Sequence, residues 1–177
     1  MDALGHAVLS EFKRVYRQYK KLAEDAMVQL TDEQLHFAEN SDSNSVALIV
    51  KHMAGNMRSR WTDFLTSDGE KPDRNRDSEF ESTGNETRAE VMRWWENGWN
   101  VLFETLDALE PEDLERTIVI RGEHMPALQA LSRQVAHYAY HVGQIVYIGK
   151  IVRGAEWKTL SIAKNKSKDY NEKLKFG

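Results

Sequence analysis

The sequence predicts an all-α protein, a bundle of four long helices. Three observations carry this expectation. Apolar side chains recur at spacings of three and four along four long segments, the period of a helix with one buried face. Stretches of turn formers separate those segments, residues 40–44 (Asn-Ser-Asp-Ser-Asn) among them. The chain has only 3 prolines, Pro72, Pro111 and Pro126, and each falls at a loop or a helix start.

The first helix spans residues 2–30, with Leu4, Val8, Phe12, Val15, Tyr19, Leu22, Ala26 and Leu30 on its apolar face. Thr31-Asp-Glu-Gln34 is a short capped turn. The second helix runs from Ser45 to Thr66 on Val46, Leu48, Ile49, Met53, Met57, Trp61, Phe64 and Leu65. His52 lies within it, with Asn56 at i+4 and Ser59 at i+7, so that helix carries a polar stripe. Residues 67–85 form a charged connection longer than helix connections usually are. Its alternating signs fit either a solvated loop or an ordered ion-pair network.

The third helix spans Glu86 to Leu109 on Val91, Trp95, Trp99, Leu102, Leu106 and Leu109. Its aromatic cluster of Trp94, Trp95 and Trp99 reads first as core and second as the wall of a pocket. A turn at Pro111, a short strand at Thr117–Ile120 and a turn at Gly122 follow. Pro126 suits the first turn of the fourth helix, which runs to Val152 and is capped by Gly154. The tail, 155–177, is rich in lysine. Trp157, Leu160 and Ile162 are expected to pack on the bundle, and the last dozen residues to be loose. The whole chain, 1–177, reads as a single domain with long second-to-third and third-to-fourth connections.

The bulk chemistry narrows the function classes. A net charge of −4 gives no general reason to expect nucleic acid. With no cysteine, disulfides, thiolate metal sites and cysteine nucleophiles are excluded, and a metal would need His, Asp, Glu or water. The N-terminal segment lacks the apolar stretch of a signal peptide, and no run of 18 apolar residues occurs. A cytoplasmic protein with no membrane association is therefore expected.

The chemistry concentrates on residues 134–149 of the fourth helix. His137 and His141 lie one turn apart on one face, and Gln134 and Gln144 extend the same stripe. Buried polar groups need partners, at a cost of roughly 1–3 kcal/mol each when left without. A His-x3-His pair can clamp one metal ion, and His52 from a facing helix would make three imidazole ligands with a position left open for water or substrate. Asn56, Gln134 and Gln144 are then candidate partners of the imidazoles or of a substrate. Plain core histidines remain the alternative. Tyr138, Tyr140 and Tyr147 flank the stripe, as packing or as hydrogen-bond donors. No catalytic triad, phosphate-cradling loop or paired-carboxylate motif is present, so no catalytic residue is named.

One His in the second helix and His-x3-His in the fourth, in four helices of this size, resemble the DinB-like (YfiT-like) metal-binding superfamily, and within it a bacterial branch of uncharacterised proteins. The segments that carry the likeness are 51–72, Arg74-Asn-Arg-Asp77, 137–150 and Trp157-Lys-Thr-Leu-Ser-Ile162. The resemblance implies a four-helix bundle of DinB type in up-down-down-up order, often a homodimer. It implies a divalent metal, nickel or zinc, on His52, His137 and His141. Relatives include S-transferases using bacillithiol, mycothiol or glutathione, and an isomerase using mycothiol. An external thiol and an electrophilic small molecule are the implied substrates. The likeness also favours an ordered network for Arg58, Arg60, Asp63, Asp68, Arg74, Arg76 and Asp77 over a solvated loop. The functional expectation is a metal-dependent enzyme, a thiol S-transferase or a metal-assisted hydrolase. The alternative is a non-catalytic, stress-associated metal-binding or dimerisation module.

Overall fold

The computed structural model describes residues 3–175. The fold is mostly helical, as the periodicity predicts. Four long helices dominate: α1 (Ala3–Met27), α3 (Val46–Trp61), α4 (Arg88–Ala108) and α5 (Ala127–Arg153). Two short ones, α2 (Asp32–Leu35) and α6 (Ser167–Lys175), join them, and β1 (Thr117–Ile120) pairs antiparallel with β2 (Glu123–Pro126). The second, third and fourth helices of the sequence reading are α3, α4 and α5. α1 packs mainly along α5 and α3 mainly along α4, with α3–α5 and α1–α4 contacts closing a common core. Among the described residues no helix is long and apolar enough to cross a membrane.

Local chemistry sets the helix ends. The hydroxyl of Ser45 accepts from the Leu48 N–H and opens α3. Thr87 and Glu90 form a capping box, so α4 begins at Arg88 rather than at Glu86. The predicted extension of α3 to Thr66 is corrected. Thr62 is extended and Asp63 has φ +48, a left-handed conformation that a short polar side chain tolerates. The carbonyl of Asp63 then accepts from the N–H groups of Thr66 and Ser67, and Phe64 still reaches the core. Pro126 ends β2 opposite Thr117 and caps α5, instead of lying inside its first turn. Gly154 closes α5 with φ +52, as its position predicts.

The strand at Thr117–Ile120 is present, with a partner strand that the sequence did not reveal. Both linking residues, Arg121 (φ +55) and Gly122 (φ +75), take the positive φ that a two-residue hairpin of matching twist requires. The Asp68 carboxylate accepts from both of their N–H groups at 2.8 Å. The Gly69 N–H donates to the Val119 carbonyl at 2.8 Å. The hairpin thereby ties down the start of the charged connection.

Tyr16, Trp61, Trp99 and Tyr138 form the aromatic centre of the core, each ring at most 1 % exposed. Edge-on and tilted contacts join them, with Tyr16 5.9 Å from Tyr138 and Tyr138 5.8 Å from Trp99. The Trp61 indole N–H donates to the Tyr138 hydroxyl at 2.9 Å, and the Tyr16 hydroxyl donates to the Leu131 carbonyl at 2.8 Å. α3 and α4 approach closely at Gly98, where an added Cβ would stand 3.0 Å from the Ala54 Cα. Trp95 and Trp99 are core, while Trp94 is half-buried beneath the ammonium of Lys51.

Two expectations for the second half of the chain are corrected. α5 is not buried all round. Packed on α1 and α3, it leaves an outer face to solvent, and Tyr140, Tyr147 and Ile151 are exposed there. In the tail Trp157 and Leu160 pack on the core, whereas Ile162 is exposed. The end of the tail is the helix α6 rather than a loose segment, with Lys166 paired to Asp169 near its start. Residues 176–177 lie outside the described residues.

Candidate metal centre

α3 and α5 face each other along one seam, and the three histidines meet there. His52 comes from the second turn of α3, and His137 and His141 from consecutive turns of α5. One nitrogen of each lies within 4.8 Å of the others, close enough for the three to hold one metal ion. The rings stand edge to face, with centroids 4.7 Å apart for His137–His141, 4.9 Å for His52–His141 and 5.5 Å for His52–His137.

Two tautomers are set by acceptors behind the rings. The His52 Nδ1–H donates to Glu79 Oε2 at 2.8 Å, and the His141 Nδ1–H donates to Gln144 Oε1 at 2.8 Å. Each leaves its Nε2 lone pair available, and His141 Nε2 is buried with no hydrogen-bond partner among the described residues. His137 Nδ1 is equally buried and unpartnered. A buried polar atom left unpaired costs roughly 1–3 kcal/mol, and an ion at the three imidazoles would satisfy His141 Nε2. Burial, reinforced by the neighbouring imidazoles, pushes His137 down to about 3. Burial, with His52 beside it and Gln144 opposing, pushes His141 down to about 4. Both rings are therefore neutral acceptors near pH 7, the form that ligates a metal.

The other sequence candidates divide. Gln144 supports His141 directly. Asn56 and Gln134 are buried in the same seam but bond to each other, Gln134 Nε2 donating to Asn56 Oδ1 at 2.9 Å. The Tyr138 hydroxyl donates to the same Asn56 oxygen at 3.1 Å. They tie α3 to α5 and line the cavity beside His52 and His137, and their hydrogen bonds go to each other and to Tyr138 rather than to an imidazole.

The sequence reading counts Glu79 among the alternating charges of the connection but not among the site candidates. Glu79 sits in a 3-10 turn, Asp77–Phe80, of the charged connection. Burial raises its carboxyl, but hydrogen bonds from His52 and Arg74 outweigh that and hold it below the usual range. Arg74 grips it with two bonds, Nε to Oε1 at 2.8 Å and Nη2 to Oε2 at 2.9 Å. Arg74 also reaches Glu70 at 3.1 Å, and Glu70 accepts from Arg60 at 2.9 Å and Arg121 at 3.1 Å. The connection is thus an ordered ion-pair network, but its acids are Glu70 and Glu79. Of the residues expected in it, Arg60 and Arg74 take part. Arg58 pairs with Asp73 at the surface, Asp63 turns the backbone and Asp68 caps the hairpin. Arg76 lies over the Phe80 ring at 5.0 Å, and Phe80 stacks on His52 at 4.7 Å. Asp77 opens the 3-10 turn. The signal for Glu79 was present in the length and acidity of the connection, but no periodicity says which acid folds back.

The model of the family described as "Protein of unknown function (DUF1572)" matches residues 3–166. The chain belongs to that family. The match takes in every element that builds the centre: α3, the charged connection and α5. No curated protein and no solved structure gives a match.

Gly55 is where the DUF1572 chain admits the Glu79 carboxyl to the surface of α3. A Cβ at Gly55 would stand 2.6 Å from Glu79 Cδ, closer than atoms can pack. Gly55→Ala is expected to displace Glu79 from His52 and Arg74, costing about 1–3 kcal/mol in urea unfolding. An unchanged midpoint would show that the carboxylate does not need this space.

Proposed function

We propose that this chain is a divalent-metal-binding protein in which His52, His137 and His141 hold one ion, nickel or zinc. We take the centre to serve a metal-dependent enzyme, a thiol S-transferase fed by an external low-molecular-weight thiol. One observation carries the reading: three imidazoles from two helices converge within 4.8 Å, two with Nδ1 committed to an acceptor behind the ring. Four long helices with this pairing support the DinB-type arrangement that the sequence resembles.

Three protein ligands leave a coordination position open, the pattern of catalytic rather than closed structural sites. A cavity of about 180 Å³ beside His52 and His137 gives a small molecule access to that position. A bound divalent ion would hold a thiol sulfur and lower its pKa, so that a thiolate forms at neutral pH. The chain's own part is to orient His52 and His141 through Glu79 and Gln144 and to keep His137 and His141 neutral by burial. It has no cysteine that would compete for the ion.

The test is a panel of low-molecular-weight thiols (bacillithiol, mycothiol, glutathione) against small electrophiles, with metal-loaded protein. Conjugation by the wild type that His52→Ala and His141→Ala abolish is the expected outcome. Tight metal binding with no thiol transfer on any pair would replace the enzyme reading with a non-catalytic metal-binding module.

A further inference from the structure

The cavity at the histidines is lined by Arg60, Arg76, Arg121 and Arg133, together with Asn56, Gln134 and Tyr140. Four arginines around one small space are out of keeping with a chain whose net charge is −4. Acids offset only part of that charge. Arg60 and Arg121 share a single carboxylate, Glu70, which Arg74 also contacts. Arg133 has Glu123 at 3.9 Å, with both side chains at least half exposed. Arg76 has no carboxylate partner among the described residues and rests on Phe80 instead. The guanidiniums come from four separate places: α3, the charged connection, the hairpin turn and α5. The fold itself gathers them.

We propose that this cavity is an oxyanion subsite: Arg76 and Arg133, backed by Arg121 and Arg60, bind the carboxylate or phosphate group of a small substrate and point its other end at the three histidines. The inference rests on the metal reading only for what happens at that other end. Guanidinium forks match planar and tetrahedral oxyanions, and several of them around one anion give orientation as well as affinity. The cavity, about 180 Å³, has room for a carboxylate or phosphate group between the guanidiniums. Arg76 also places the subsite relative to the centre. It lies on Phe80, and Phe80 lies on His52, so an anion held there is one ring away from an imidazole.

The experiment is isothermal titration in 150 mM NaCl of zinc-loaded and chelator-stripped full-length protein. The probes are malonate, its neutral diamide malonamide, and inorganic phosphate. Arg76→Gln/Arg133→Gln is the test variant, and Arg58→Gln, outside the cavity and paired with Asp73, is the control. Both test positions are solvent-exposed, so the variant keeps its fold, which circular dichroism checks.

Malonate or phosphate is expected to bind the wild type at least about tenfold more tightly than malonamide, and the double variant to lose about 10–100-fold, with the control unchanged. Malonate binding alone assigns a carboxylate substrate, and phosphate binding alone a phosphorylated one. Binding of neither malonate nor phosphate more tightly than malonamide, or an unchanged double variant, overturns the subsite. The stripped protein separates the two readings. Arginine-dependent anion binding by a protein that takes up no metal keeps the subsite and removes the metal centre. Metal uptake without arginine-dependent anion binding does the reverse.

Discussion

Replacing Glu79 with alanine is expected to destabilise the protein by about 3–5 kcal/mol and to weaken divalent-metal binding by about 10–100-fold. The first number comes from Arg74. Its side chain is 4 % exposed, and two of its hydrogen bonds end on Glu79. Removing the carboxylate leaves a buried guanidinium with only Glu70, already shared with Arg60 and Arg121. That residual contact puts the cost at the lower end of the range. The second number comes from His52. Without an acceptor behind Nδ1, the ring is no longer held in the tautomer that presents Nε2 to the other two imidazoles. Glu79→Gln keeps an acceptor oxygen but loses the charge. It should retain most of the metal affinity while losing much of the stability. Urea unfolding followed by tryptophan fluorescence and competition against a chelator measure the two effects separately. A stability change below about 1 kcal/mol with unchanged metal affinity would show that the ion-pair network does not support the centre.

Trp61→Ala is the second large effect, about 3–5 kcal/mol. The side chain is 1 % exposed and contacts Tyr16 and Phe64 in the middle of the core. Its N–H donates to the Tyr138 hydroxyl, which in turn donates to Asn56. Truncation therefore removes packing and leaves a fully buried hydroxyl with one partner fewer. For a chain of this length the melting temperature should fall by about 10 °C. Trp61→Phe, which keeps most of the volume, should fall by less than half of that. Since Trp61 touches no imidazole, Trp61→Ala is expected to leave metal stoichiometry intact below its transition. A drop under about 2 °C would mean that the aromatic centre repacks around the space.

The helices were legible in the sequence because burial imposes a period, and Val46, Ile49, Met53 and Met57 repeat it plainly. The helix ends were less legible. Asp63 breaks α3 through a backbone conformation that leaves no composition signal. The β2 strand was hidden because Glu123-His-Met-Pro126 lacks β-branched residues and is held by its pairing with β1 and by Asp68, 53 residues from Arg121 along the chain. His52, His137 and His141 were legible because the helical period places two of them on one face, and the third lies in a helix that packs against it. Glu79 and Glu70 were not, because a connection without periodicity gives no rule for which of many acids turns inward. The arginine lining was hidden for the same reason, since its members come from four elements brought together only by the fold.

Elemental analysis of the untagged protein, beside His52→Ala and His141→Ala, tests the three-histidine centre most directly. One divalent ion per chain in the wild type, lost in both variants while their circular dichroism stays helical, is the expected result. Wild-type protein that carries no metal and takes up neither added zinc nor added nickel would contradict it, and would leave His52, His137 and His141 as core histidines.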